Sequence, residues 1–328
     1  MARPLALLFV LVALVLAGCG SGGSSTTPPS TPKPAAPAAD FPAASGTTLA
    51  KLRATYPEGP ILAPSVSILE PGTNRFGFAL FDSGRNFINT AAPALYTAKK
   101  DGSGLLGPFP ARIESLRVRP AFLSQTSAKD PAAARQVYVA DVKFAGKGPH
   151  VVTGLARIGG RTVGTTPYGV DVGGDPRNQP PGVGDKAIRV HTPTLSSVGG
   201  DASAIDTRVP AATDLLKTDL YDVLGKKPVV LTLATPQLCA SRVCGPVVDV
   251  VEQVASETGG NVAFIHNEIY KDNQISKGLR PQPAAYRLPS EPWTFVIDRH
   301  GIIRTRFEGA FSPGELERAV AQVNDGKA

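Results

Sequence analysis

Two cysteines, Cys239 and Cys244, lie where one apolar run ends and a helically periodic one begins, in Leu231-Thr-Leu-Ala-Thr-Pro-Gln-Leu-Cys-Ala-Ser-Arg-Val-Cys-Gly-Pro246. Backbone N–H groups at a helix start lack intrahelical partners and carry partial positive charge, so a thiolate there is stabilised and its pKa falls. The chemistry this permits is thiol–disulfide exchange, with Cys239 attacking from the helix tip and Cys244, farther along, resolving. Arg242 would share a helix face with Cys239 if the first turn were helical, and would favour thiolate further. Spacing limits the geometry. Five residues of helical rise separate the Cα atoms at either end by ~7.5 Å, beyond the ~7 Å at which a disulfide closes without backbone movement. Cys239 is therefore expected in the turn and Cys244 in the helix, because Val243 is in phase with the apolar face.

The same pair admits other outcomes. A plain stabilising disulfide is common in exported domains. Together with His266, at the end of an expected strand, the two sulfurs could hold copper in a non-catalytic chaperone module. No His or Cys set has short metal spacing and the sole methionine is Met1, so no resident metal or cofactor is implied.

The elements that must position these residues follow from periodicity. Val229 to Ala234 reads as a buried strand, and Val243, Val247, Val250, Val251 and Val254 recur at helical spacing. Asn261 to His266 is a second strand, Ala284 to Arg287 a short helix, and Trp293 to Ile297 and Ile302 to Phe307 a strand pair across the turn Asp298–Gly301. Ser312, Pro313 and Glu315 spell a capping box at the start of a last helix. Upstream, Arg75 to Asp82, Val137 to Phe144, Val151 to Ile158 and Arg161 to Thr166 read as short strands with Gly/Pro punctuation, which argues an all-β sandwich over 46–172. Residues 173–182, with Gly173, Gly174, Pro176, Pro180 and Pro181, read as a linker to an α/β domain at 183–328.

The N-terminus carries a basic start, an apolar run from Leu5 to Leu16 and then Leu16-Ala-Gly-Cys19. The run is shorter than the ~18 apolar residues of a spanning helix, so residues 1–18 read as a cleaved export signal. Leu-Ala-Gly-Cys resembles a bacterial lipobox, which implies lipid on Cys19 and a protein anchored to the outer side of the cell membrane. Residues 19–45, rich in Gly, Ser, Thr, Pro and Ala, are expected to be a disordered tether. The chain has 328 residues and a formal charge of +7, but its basic residues are scattered, so no nucleic-acid surface is expected.

Over roughly 183–326 the chain resembles the thioredoxin superfamily. Val183-Gly-Asp-Lys-Ala187 is similar to the opening of membrane-anchored thioredoxin-like reductases and peroxiredoxins. Leu288-Pro-Ser-Glu-Pro-Trp-Thr-Phe-Val-Ile-Asp-Arg-His-Gly301 resembles the segment around the superfamily's cis-proline, and Pro246 matches the proline that kinks the active-site helix. The resemblance implies that Pro292 lies against the active-site sulfur, with Glu291 and Trp293 flanking it. It implies exchange with exported protein thiols or disulfides, cell redox homeostasis as the role, and a membrane redox partner. Thioredoxins place two residues between their cysteines; here there are four. Peroxidases with wider spacing carry a threonine three residues before the attacking cysteine, where this chain has Pro236, and a thiol peroxidase stands as an alternative on spacing alone. The first domain looks immunoglobulin-like without that fold's cysteine and tryptophan hallmarks.

Overall fold

The structure, a computed structural model, describes residues 33–324. The export segment 1–18, Cys19 and most of the expected tether lie outside the described residues. Among those described, no helix is long and apolar enough to cross a membrane.

Antiparallel sheets dominate the chain. The first unit contains β1 (Ile61–Pro64), β2 (Gly72–Phe81), β3 (Ala92–Lys99), β4 (Leu106–Pro110), β5 (Arg112–Ser115), β6 (Gln136–Phe144), β7 (Gly148–Ile158), β8 (Arg161–Gly164) and β9 (Tyr168–Val172), with short helices α1 (Leu49–Thr55) and α2 (Gln125–Lys129). One sheet has the order β1-β2-β6-β5; the other runs β4-β3-β7-β8, with β9 also on β7. The inward residues of both sheets share one core: Phe76, Phe78, Leu80, Tyr138, Ala140 and Val142 from the first meet Leu95, Val152 and Ala156 from the second. Alternation along β2 is what a strand with one buried face requires. The expected sandwich is therefore present as two packed antiparallel sheets.

Residues within 33–45, expected to belong to the disordered tether, pack against the first unit. Lys33 bridges Ile113, the Tyr96 hydroxyl donates to the Pro42 carbonyl at 2.8 Å, and Phe41 is buried with Leu52, Ala94 and Leu155. A single phenylalanine in a Pro/Ala-rich stretch supplies the apolar area that holds the segment down. His150 is 4% exposed and packs edge-on against Phe144.

The second unit contains α3 (Leu220–Val223), β10 (Val229–Leu233), α4 (Cys244–Thr258), β11 (Ala263–Asn267), α5 (Pro281–Ala285), β12 (Trp293–Ile297), β13 (Ile303–Glu308) and α6 (Pro313–Asn324). Its sheet has the order β11-β10-β12-β13; β11 is parallel to β10 and the other pairings are antiparallel. Both faces are buried, as the unbroken apolar runs require. Val230, Phe264, Val296 and Phe307 meet the valines of α4 and Leu316, Ala319 and Val320 of α6. Val229, Leu231, Leu233, Ile265 and Phe295 meet Leu220, Leu224 and Tyr286 on the other side. The turn after β12 forms as expected: Asp298 Oδ1 accepts from the N–H groups of His300 and Ile302, and Gly301 takes φ 81°.

The two units share a core and a charged seam. Val137 and Val139, on the face of β6 opposite Tyr138, pack with α4 and α6. The capping box forms as expected, with Glu315 N–H donating to Ser312 Oγ and Ser312 N–H donating to Glu315 Oε2, both at 3.2 Å. Its carboxylate also receives Arg75 Nε and Nη2, each at 2.8 Å, and Arg112 Nη2 at 3.1 Å, while Ser312 Oγ donates to Glu114. Burial alone would raise the Glu315 pKa, but Arg75, the Ser312 N–H and Arg112 outweigh it and hold the carboxyl below its usual range. A depressed folded pKa contributes stability above the unfolded carboxyl value of about 4.3 and loses it as pH falls through the folded value. The difference in thermal midpoint between wild type and Glu315→Gln should thus be largest near neutrality and shrink on acidification below about pH 4. A constant difference from pH 7 to 3 would contradict this.

Candidate redox site and its surroundings

Cys239 and Cys244 form a disulfide with Cα atoms 5.9 Å apart. As the spacing requires, Cys239 lies in the turn after β10 and Cys244 is the first residue of α4. No side chain caps this helix: Val243 occupies the N-cap, the first turn holds no acidic residue, and Pro246 has no N–H to leave unpaired. The positive end of α4 lies beside the two sulfurs, and the Ser241 hydroxyl is 3.2 Å from the Cys239 sulfur. Reduction here would leave a thiolate beside unneutralised N–H groups, the condition that lowers a thiol pKa.

Arg242 does not share a helix face with Cys239. It adopts φ 59°, outside helical space, because the chain must reverse before α4 begins, and its exposed guanidinium pairs with Asp130 at 3.3 Å. Pro246 is buried in the first turn of α4. The Glu291–Pro292 peptide bond is cis, and Pro292 immediately precedes β12, whose Trp293 is in register with Leu233 of β10. Pro292 and Ala234 thus extend the same paired end of the sheet, from which the chain runs to Cys239. The Pro292 carbonyl accepts from Gly309 N–H at 2.9 Å. Trp293, beside Pro292, is fully buried, donates Nε1–H to Ser290 Oγ and stacks on Phe295. Glu291 is half-buried, and burial, partly offset by Tyr270, raises its pKa.

His266 does not reach toward the sulfurs. Its Nε2 lies 3.2 Å from the Ala234 carbonyl and its Nδ1 3.6 Å from Asp206 Oδ1. Burial opposes an imidazolium, yet Asp206 and Glu268 outweigh it and hold the ring's pKa above its ordinary value. Burial likewise works against the Asp206 carboxylate, but His266 and the N–H groups of Arg208 and Ala212 hold its pKa down.

A feature that patterning gave no sign of is a strap from the first unit lying over the disulfide. Residues 116–135, between β5 and β6, include a 3₁₀ turn at Pro120–Phe122 and α2. Ala134 N–H donates to the Arg242 carbonyl at 3.1 Å, and Ser124 donates from Oγ to Asp249 of α4 at 3.1 Å. Leu116 joins the core cluster that contains both cysteines. Cys239 is left 5% exposed and Cys244 fully covered. The groove beside them, lined by Thr126, Asp130, Pro236, Arg242 and Pro246, measures about 10 Å³, at the limit for a single water. A larger cleft, about 800 Å³, lies elsewhere between the units, along Arg75, Arg306 and Glu308.

No family model matches the chain, and no curated protein matches it.

Proposed function

We propose that this protein is a lipid-anchored, extracytoplasmic thiol–disulfide oxidoreductase whose second unit is a thioredoxin-like domain and whose first is an immunoglobulin-like sandwich. One observation carries the reading: the Cys239–Cys244 disulfide sits at the uncapped start of α4, where a thiolate is favoured. The mixed sheet, with α4 and α6 on one face and Pro292 at the head of β12, is consistent with that fold.

In the reducing direction the Cys239 thiolate attacks a client disulfide, forming a mixed disulfide and releasing one client thiolate. The Cys244 thiolate then attacks Cys239 Sγ, releasing the second client thiolate and closing the disulfide again. Two electrons pass to the client and return from a membrane redox partner. Oxidation of clients is the reverse, and the reduction potential relative to partner supply sets the direction.

The test is titration of the pair against glutathione, with alkylation of free thiols as readout. A potential within about −120 to −270 mV supports exchange, and one below about −300 mV marks a structural bond. That second reading, a staple, draws on the burial of both sulfurs beneath the strap. Trapping of partners, argued in the Discussion, separates the two.

A further inference from the structure

We propose that Asp206, His266 and Glu268 bind one divalent transition-metal ion of the zinc type. This rests on a different region of the chain from the disulfide and stands or falls independently of it.

The three side chains bring donor atoms within 4.8 Å of one another, and none of the residues is more than 2% exposed. The orientation of the ring is informative. Nε2 faces the Ala234 carbonyl, an acceptor, so the neutral ring carries its hydrogen there and presents a bare lone pair at Nδ1. Nδ1 in turn faces Asp206 Oδ1 at 3.6 Å. That is longer than the ~2.7–3.2 Å of an N–H···O bond. Two donors held at ~2.0–2.2 Å by a tetrahedral zinc ion stand about 3.3–3.6 Å apart. A histidine that gives its other N–H to a backbone carbonyl is also how metal sites set the tautomer.

The remaining oxygens are already oriented. Asp206 Oδ1 and Oδ2 accept from Arg208 N–H and Ala212 N–H, each at 2.8 Å. Glu268 Oε1 accepts from Thr207 N–H at 2.7 Å and Thr207 Oγ at 2.6 Å. What is left without a hydrogen-bond partner is His266 Nδ1 and Glu268 Oε2, the two atoms that would complete coordination. Burying such atoms unpaired is costly. Two carboxylates and a neutral imidazole sum to a charge that one divalent cation balances; the Arg280 charge acts on Glu268 from a distance, but the neighbouring guanidiniums make their bonds elsewhere. Arg208 pairs with Asp249 and Glu252, and Arg280 bonds to the Tyr270 and Ala204 carbonyls and to Asn273. One nitrogen and two oxygens suit zinc, cobalt, iron(II) or manganese; the lack of sulfur disfavours copper(I), and three donors that include an imidazole disfavour calcium. Glu268 Oε2 must draw inward on binding, and water completes the shell. The ion would tie the loop carrying Asp206 and Thr207 to the end of β11.

The purified full-length chain, freed of metal by chelation and dialysed against Zn²⁺ and then buffer, should retain about one equivalent. Reloaded with Co²⁺ it should show the visible bands of nitrogen- and oxygen-ligated cobalt without sulfur charge transfer. Glu268→Gln, close in shape, should weaken Co²⁺ binding at least about 10-fold, and Thr207→Val by about 10- to 100-fold, while the Cys239→Ser/Cys244→Ser double variant should bind as wild type. Circular dichroism of each variant separates lost binding from lost folding; should Glu268→Gln not fold, Thr207→Val decides. Failure of the wild type to retain metal, unchanged binding in the Glu268 and Thr207 variants, or loss of binding in the cysteine variant would overturn the proposal. So would nitrogen NMR showing Nδ1 of His266 protonated in the Zn²⁺-treated protein, since the cation there would then be a proton.

Discussion

Cys244→Ser is expected to accumulate mixed disulfides with exported proteins through Cys239, whereas Cys239→Ser should accumulate few and lose exchange altogether. Cys239 retains what accessibility the pair has, 5% against none for Cys244, and it alone lies in the turn rather than in the helix. A mixed disulfide on Cys239 persists when the resolving thiolate is gone, because no second sulfur is in reach to release the client. In the reduced protein Cys239 should also alkylate before Cys244 near neutral pH, since thiolate fraction and access together set the rate. Non-reducing electrophoresis of membrane extracts reads the trapping, and mass spectrometry of timed alkylation reads the order. Equal, slow modification of both thiols with no partner from either variant would reduce the pair to a structural staple.

The place of both cysteines was legible because disulfide geometry and helix rise together leave few options: Cys239 had to leave the helix, and does. The Ser312–Glu315 capping box was legible because a cap is a local device whose partners are three residues apart. What joined that box to Arg75 and Arg112 was not, since those arginines lie more than 200 residues upstream and pattern carries no pairing information. Strand β6 shows the same division. Asp141 and Lys143 alternate with apolar residues and betray a half-exposed strand, but Val137 and Val139 break the alternation because their face is covered by α4 and α6. Arg242 departs from the expected helix face because the sequence gives no sign of the left-handed backbone that ends the turn. Trp293 flanks Pro292 in sequence, and the unbroken burial of β12 places its side chain in the core. Likewise Asp206 carries no local signal: the chain brings it to His266 and Glu268, two residues apart at the end of β11, from a loop some 60 residues upstream.

Arg208→Ala should cost about 3–5 kcal/mol, the expected loss when a buried ion pair keeps one partner. Its side chain is 3% exposed, and each branch of the guanidinium holds a different element. Nε bonds Asp249 of α4 at 2.8 Å, Nη1 bonds the Pro210 carbonyl at 2.6 Å, and Nη2 bonds the Phe122 carbonyl of the strap at 2.8 Å and Glu252 at 2.5 Å. Removing it strands Asp249, whose other oxygen already serves Ser124, and leaves Glu252, its pKa raised by burial and by the neighbouring acids, without the cation that opposes that rise. Because the same group ties the strap to α4, loss of stability should come with faster alkylation of Cys239 in the reduced protein and faster amide exchange over residues 119–130. Ser124→Ala, which deletes one neutral donor and keeps the ion pair, should loosen the strap at a cost of about 1–2 kcal/mol. Denaturant midpoints measure the first quantity and timed alkylation the second. If Arg208→Ala lowered stability while Cys239 reacted no faster than in wild type, the strap would not be what limits access to the sulfurs, and their burial would have to be relieved by motion within the turn from Pro236 to Val243 itself.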